Sequence, residues 1–275
     1  MRWLNRIFNF YLDASIHVAL AVFSLVQVTC LTFNISSDHH FSWFLFFGTI
    51  SVYNFIKYGV EAEKYFLVAN QYHKSIQIVS FVALGFAIYH GYFLKTSIWF
   101  GIFLLVFLTG LYAIPVLPTA KNLRSLGGLK IFVVALVWSG ATVILPSLTQ
   151  SDIISWDIWI DTLQRFLFVL ILIIPFEIRD LKYDHESLRT LPQRYGIART
   201  KIMGSFLVLI FFFSTFLKDQ IPIFDVVGKG ILFLLLGILM FITRKNQSKY
   251  FASFCVEGIP ILWYLIIITM KQYFY

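Results

Sequence analysis

Charge is scarce in this 275-residue chain: Asp, Glu, Lys and Arg make up only 13% of it, where a soluble domain carries about a quarter. Cysteine is scarcer still, at two residues, which excludes a disulfide scaffold. No CxxC, HExxH, P-loop, GxGxxG or GxSxG pattern occurs where its mechanism would operate, so the common zinc, nucleotide and serine-hydrolase chemistries have no foothold. What fills the chain is apolar. Hydrophobic residues reach 59%, 31 Phe among them, and the mean hydropathy is +0.79. No water-facing surface hides that much apolar bulk, so the composition points to a bilayer protein, a single polytopic domain over residues 1–275.

A membrane-crossing helix needs roughly 20 mostly apolar residues. Runs of that kind predict nine transmembrane helices in one all-α bundle, near 14–36, 41–60, 75–95, 97–117, 129–149, 160–178, 202–217, 221–243 and 250–270. Their length excludes barrel strands, which alternate over about ten residues. The opening segment has no small-residue cleavage site and is expected to remain as the first helix. Cys30 and Cys255 both fall inside these runs, where single cysteines act as small apolar fillers.

Between the runs, seventeen of the 22 basic residues fall on one side, four (Lys95, Lys218, Lys229, Lys271) on the other, and Arg165 within a run. The positive-inside rule then places the N-terminus in the cytoplasm and the C-terminus outside, in a multi-pass protein of the cell (inner) membrane. It also accounts for the formal charge of +8 without nucleic acid as a partner. A proton-relay or structural role is open for Glu257, an acid within the last run for which His17 or Arg165 is a candidate partner.

Chemistry concentrates in the segment FEIRDLKYDHESLRTLPQRYGIARTK, residues 176–201. Glu177, Asp180 and Asp184 are spaced i, i+3, i+7, within about 60° of one another on a helix. Such a cluster repels itself unless a hard divalent cation joins it, and Mg²⁺ takes oxygen ligands and bridges to phosphates. Arg179 and Lys182 lie beside it, suited to an anion. A solvated mixed-charge loop is the plainer reading of the same residues. Against it, Glu177 follows Pro175 inside an apolar run, and an acid at a membrane boundary is costly enough to need a reason.

EIRDLKYD followed by TLPQRYG resembles the second aspartate-rich motif of the UbiA superfamily of intramembrane prenyltransferases. Asp180 and Asp184 match its DxxxD core, Glu177 stands at the leading Asp, and Thr190, Leu191, Pro192 and Gly196 follow. YAIPVLPTAKNLRSLGGLK, residues 112–130, is similar to the family's Tyr-, Pro- and basic-rich loop after the fourth helix. In the run VYNFIKYGVEAEKYF, Asn54 matches the first motif, but Tyr58 and Ala62 stand where the family has two acids.

The resemblance implies a transferase reaction. Mg²⁺, held by Glu177, Asp180 and Asp184 with Asn54 opposite, grips a polyprenyl diphosphate, and the allylic cation alkylates an aromatic or other lipid-phase acceptor. Asp180, Asp184 and Asn54 are then the catalytic set. Lys57, Lys121, Arg124, Arg179 and Lys182 are the diphosphate-binding candidates, with Lys57 supplying positive charge where the acids are missing. Snorkelling is the alternative for Lys57. A catalytically impaired paralogue that binds isoprenoid lipid is the alternative for the whole chain, and a transporter a more distant one.

Overall fold

Inside a bilayer a chain satisfies its backbone only by closing hydrogen bonds within each segment. The computed structural model describes residues 2–60, 70–113, 128–184 and 188–274, and every regular element among them is helical. In chain order these are α1 (Arg2–Asp13), α2 (Ile16–Thr32), α3 (His39–Asn54), α4 (Gln71–Tyr92), α5 (Thr96–Ala113), α6 (Leu129–Ser139), α7 (Leu145–Leu148), α8 (Trp156–Asp180), α9 (Leu191–Phe213), α10 (Ile223–Ile242) and α11 (Ile259–Phe274). Among the described residues three wider π-helical turns interrupt the series: π1 (Phe55–Val60) continues α3, π2 (Gly140–Ile144) joins α6 to α7, and π3 (Phe251–Val256) leads into α11.

Among the described residues seven helical stretches are long and apolar enough to cross a membrane, or eight if α1 and α2, bent by 56°, make one span. The helices lie along the predicted runs, with three differences. The 41–60 run holds the 16-residue α3 and π1 and is not among these spans. α9 begins at Leu191, not near 202, because its first turns carry Arg194, Arg199 and Lys201. α1 precedes the first run because Arg2, Asn5 and Arg6 make it too polar to register as a span.

Buried area places α8 at the centre. Its most apolar stretch is 72% buried, against 22% for α4 and 17% for α5, which turn broad Phe-rich faces outward. α8 packs against α9 and α6, α10 fits between α9 and α11, and α11 closes back on α2. At the core Phe168 stacks near Trp263 (centroids 4.9 Å) and Phe211 (5.9 Å), pairs that add about 0.5–1.5 kcal/mol each beyond their burial. Gly204 lets α9 approach closely: a Cβ there would collide with the Met240 Sδ and lie 2.8 Å from the Ile174 Cδ1. Small residues are what helix interfaces in lipid require, since apolar burial alone gives no preference for protein over lipid tails.

Helix ends need partners for their last carbonyls, and lysines from elsewhere in the bundle reach three such ends. Lys95 donates to the Thr149 carbonyl at 2.6 Å, Lys201 to those of Phe241 (2.7 Å) and Thr243 (3.0 Å), and Lys271 to that of Leu31 (3.0 Å). Gly196, at φ 78°, breaks the start of α9 into a first turn and a long helix, a backbone state that suits glycine. Ahead of it the Gln193 side chain accepts from the Thr190 N–H (2.9 Å) and donates to the Asp184 carbonyl (3.2 Å), so the Thr-Leu-Pro-Gln turn anchors the segment that carries Asp184.

Candidate functional site

A cavity of about 540 Å³ opens between α1, α2, α3, α5, α6 and α8. Its walls are mainly apolar, with Phe44, Tyr53, Trp138 and Phe176 presenting rings, and the Trp138 indole N–H donates to the Tyr53 hydroxyl at 2.9 Å. All three π-turns reach it: Lys57 from π1, Thr142 from π2 and Ser253 from π3. A π-turn widens the helix and recurs at functional sites.

One end of this cavity is charged. Arg179 at the last turn of α8 holds Asp180 in a two-pronged pair, Nε to Oδ1 at 2.7 Å and Nη2 to Oδ2 at 3.0 Å, and both residues line the cavity. Lys57 lines it too, 3.9 Å from the Asp13 carboxylate and 3.4 Å from the Asp13 carbonyl, with its ammonium 5.1 Å from the Tyr58 ring centroid. Lys249 and Glu257 complete the polar lining at this end.

Glu177 and Asp184 meet beside it, where Asp184 follows α8 through a turn closed by its N–H on the Asp180 carbonyl (2.9 Å). Lys130, at the start of α6, stands between them, 2.7 Å from Glu177 Oε1 and 3.8 Å from Asp184 Oδ2. Glu177 and Asp184 thus share one cation, while Asp180, the last residue of α8, takes another. Asn54 is placed differently. Its amide donates to the Ala14 carbonyl (3.0 Å) and the Ser80 hydroxyl (2.9 Å) and accepts from the Ser15 hydroxyl (2.8 Å), so it braces the bend between α1 and α2. Ser15 there has φ 58°. Lys182 is exposed, and Lys121 and Arg124 lie outside the described residues.

Among the described residues, no three acids, histidines or cysteines converge as a ready metal cage. Glu177 and Asp184 nevertheless each keep one buried oxygen, Oε2 and Oδ2, without a hydrogen-bond partner among the described residues. That donor set fits one Mg²⁺, which commonly takes one or two carboxylates and leaves its other positions to water and substrate phosphates.

The opposite end of α8 holds charges that topology alone would place in solvent. Lys229 donates to Asp161 (2.9 Å), Gln164 (2.7 Å) and Asp225 (2.9 Å), and Lys218 to Asp161 (2.8 Å) and Asp225 (3.1 Å), all of them buried. Burial pulls the Lys218 ammonium down, but the carboxylates of Asp161 and Asp225 outweigh it and hold it above the ordinary lysine value. Arg165 is 4.0 Å from Asp161 Oδ2, lies over the Trp263 ring at 4.7 Å, and donates to the Leu25 carbonyl at 2.9 Å. So Arg165 does not pair with Glu257, and neither does His17, whose ring nitrogens meet the Tyr11 hydroxyl (2.7 Å) and the Phe254 carbonyl (3.0 Å). The signal for this cluster was in the sequence: Asp161 and Arg165, and Asp225 and Lys229, are opposite charges one helical turn apart in apolar surroundings.

No protein-family profile and no curated protein sequence matches the chain. Solved structures do. A UbiA homologue from Archaeoglobus fulgidus bound to Cd²⁺ is similar at 14% identity, over 96% of this chain and 99% of that one, with a TM-score of 0.66. The homologue bound to GPP and Mg²⁺ gives 13%, 96%, 99% and 0.62. A structure concerned with digeranylgeranylglyceryl phosphate synthase in membranes gives 13% identity over 97% of each chain, with a TM-score of 0.57.

Proposed function

We propose that this chain, which carries the fold of the UbiA superfamily, binds a polyprenyl diphosphate at the charged end of its large cavity and transfers the prenyl group to an aromatic or other lipid-phase acceptor. The observation that carries the proposal is a 540 Å³ apolar, ring-lined cavity ending on Lys57, Arg179 and Asp180. It gives an isoprenoid tail and its anionic head separate surroundings. On this reading the helices make nine membrane spans, α3 with π1 among them, with the N-terminus and the charged end cytoplasmic, the C-terminus outside, and the inner membrane as the site.

Glu177 and Asp184 would hold Mg²⁺, which would offset the charge of the departing diphosphate, while Asp180 fixes Arg179 beside it. Arg179 and Lys57 face the diphosphate, joined by Lys121, Arg124 and Lys182. Asn54 serves from behind, fixing the bend that carries Asp13 to the cavity edge. The allylic C–O bond breaks with its electron pair leaving on the diphosphate. The new bond then forms from the acceptor, which loses a proton. Tyr53, Trp138 and Phe176 offer ring faces to the cationic carbon, and the mainly apolar walls limit the water around it.

A second reading has its own observation. Asp180 is already paired with Arg179, Lys130 sits on Glu177, and α3 continues with Tyr58 where the family has an acid. These favour a protein that binds isoprenoid diphosphate and transfers it slowly or not at all. The test is to incubate purified protein with Mg²⁺, geranyl diphosphate and a panel of phenolic and lipid acceptors. Diphosphate release that is lost in Asp180→Asn and Asp184→Asn supports transfer. Mg²⁺-dependent binding without release supports the second reading, and binding indifferent to both substitutions refutes the site.

A further inference from the structure

Glu177 is buried, with 4% of its surface exposed, and one of its two oxygens has no hydrogen-bond partner among the described residues. The other is 2.7 Å from the Lys130 ammonium, which is also 3.8 Å from the Asp184 oxygen that likewise lacks a hydrogen bond. Two carboxylates thus share one ammonium and each leaves an oxygen open. An isolated buried carboxylate pair is strongly unfavourable unless a cation lies between them, and here the chain brings its own, from the first turn of α6. A lysine is suited to leave again, being a compact charge on a flexible four-carbon stem.

We infer that Lys130 is a tethered counter-ion that occupies the Glu177–Asp184 pair until a divalent cation displaces it, and that it thereby sets the metal affinity of the site. The inference rests on the metal role proposed above. Displacement exchanges one contact for another: the carboxylates pass from ammonium to metal ion, and the freed ammonium, still held near by α6, meets the diphosphate oxygens. Nothing is oxidised and no covalent bond changes. Asp180 takes no part in the exchange because Arg179 already grips both of its oxygens.

The readout is Mn²⁺ binding to the detergent-solubilised full chain without diphosphate, monitored through the loss of the free-ion electron paramagnetic resonance signal. Lys130→Met removes the competitor and leaves the carboxylates, so Mn²⁺ binds about tenfold tighter, the scale on which groups around a metal site tune affinity. Lys130→Arg keeps the charge and should preserve the fold. Its fork spans both carboxylates and is harder to displace, so Mn²⁺ binds more weakly than to the parent. Affinity that falls from Lys130→Met through the parent to Lys130→Arg supports the inference. Equal affinities, or weaker binding to Lys130→Met beside unchanged binding to Lys130→Arg, overturn it. If the order holds while geranyl diphosphate fails to bind any form, the transferase reading falls and Lys130's role stands. If no form binds Mn²⁺, the metal role and the inference fall together.

Discussion

Replacing Asp161 with Asn removes one of two carboxylates that face three buried cations. Lys218, Lys229 and Arg165 have side chains 1%, 0% and 0% exposed, and Asp161 and Asp225 are 2% and 1% exposed. In the variant Asp225 is the one carboxylate left to both lysines, at 3.1 Å and 2.9 Å, beside the Gln164 oxygen on Lys229. A unit pair near 3 Å at an effective dielectric of 20 is worth about 5–6 kcal/mol before desolvation and relaxation. Removing one partner of a buried pair costs about 3–5 kcal/mol net. The expected drop in melting temperature in dodecyl maltoside is therefore on the order of 10 °C. Because the parent holds Lys218 above the ordinary lysine value through both carboxylates, losing one lets burial win. Its folded-state value then falls below the unfolded one, so the Lys218 contribution to stability grows with rising pH in the variant, whereas in the parent that contribution is lost as pH rises. Asp161→Asn with Lys218→Met removes one charge of each sign and recovers most of the loss. A single variant within about 1 kcal/mol of the parent, or a double variant less stable than the single, refutes this physical picture of the cluster.

Asn54→Ala strips three hydrogen bonds from the α1–α2 bend and leaves buried polar partners unmet, for a loss of about 2–4 kcal/mol. Limited proteolysis should detect it as earlier cleavage near Ala14, ahead of global unfolding. Lys57→Ala should weaken geranyl diphosphate binding only a few-fold, because its side chain is 44% exposed and solvent screens it. Isothermal titration should show that deficit shrinking with added salt, and unchanged affinity at low salt would remove Lys57 from the diphosphate site.

The spans were legible because bilayer solvation leaves no alternative to long apolar helices, but a common helix face for Glu177, Asp180 and Asp184 did not foretell that Asp184 leaves the helix and that Asp180 turns to Arg179. What escaped is what several helices do jointly. Asn54, polar at a span's end, resembled a ligand, yet its amide is spent on a bend formed about 40 residues earlier. Lys95 and Lys271 counted as topological charge, but each caps the carbonyl end of another helix, and Lys218 and Lys229 lie inside the ionic cluster. All four lysines on the sparsely basic side therefore have structural reasons to be there. The proposed orientation accordingly rests on the other seventeen basic residues, with little set against them. The π-turns carry no residue signature at all, since GATVI or FASFCV would serve equally in an α-helix.

Those turns alter the phase of the helices beyond them. A π-turn's i→i+5 ring holds one residue more than an α-turn, so each shifts the downstream face by about 100° relative to a continuous helix. Past π3, that offset is what aims Trp263 at Arg165 and Phe168 while Glu257 remains at the cavity wall. A single-residue deletion in Phe251–Val256 would turn the face of α11 by about 100° and carry Trp263 away from Arg165 and Phe168.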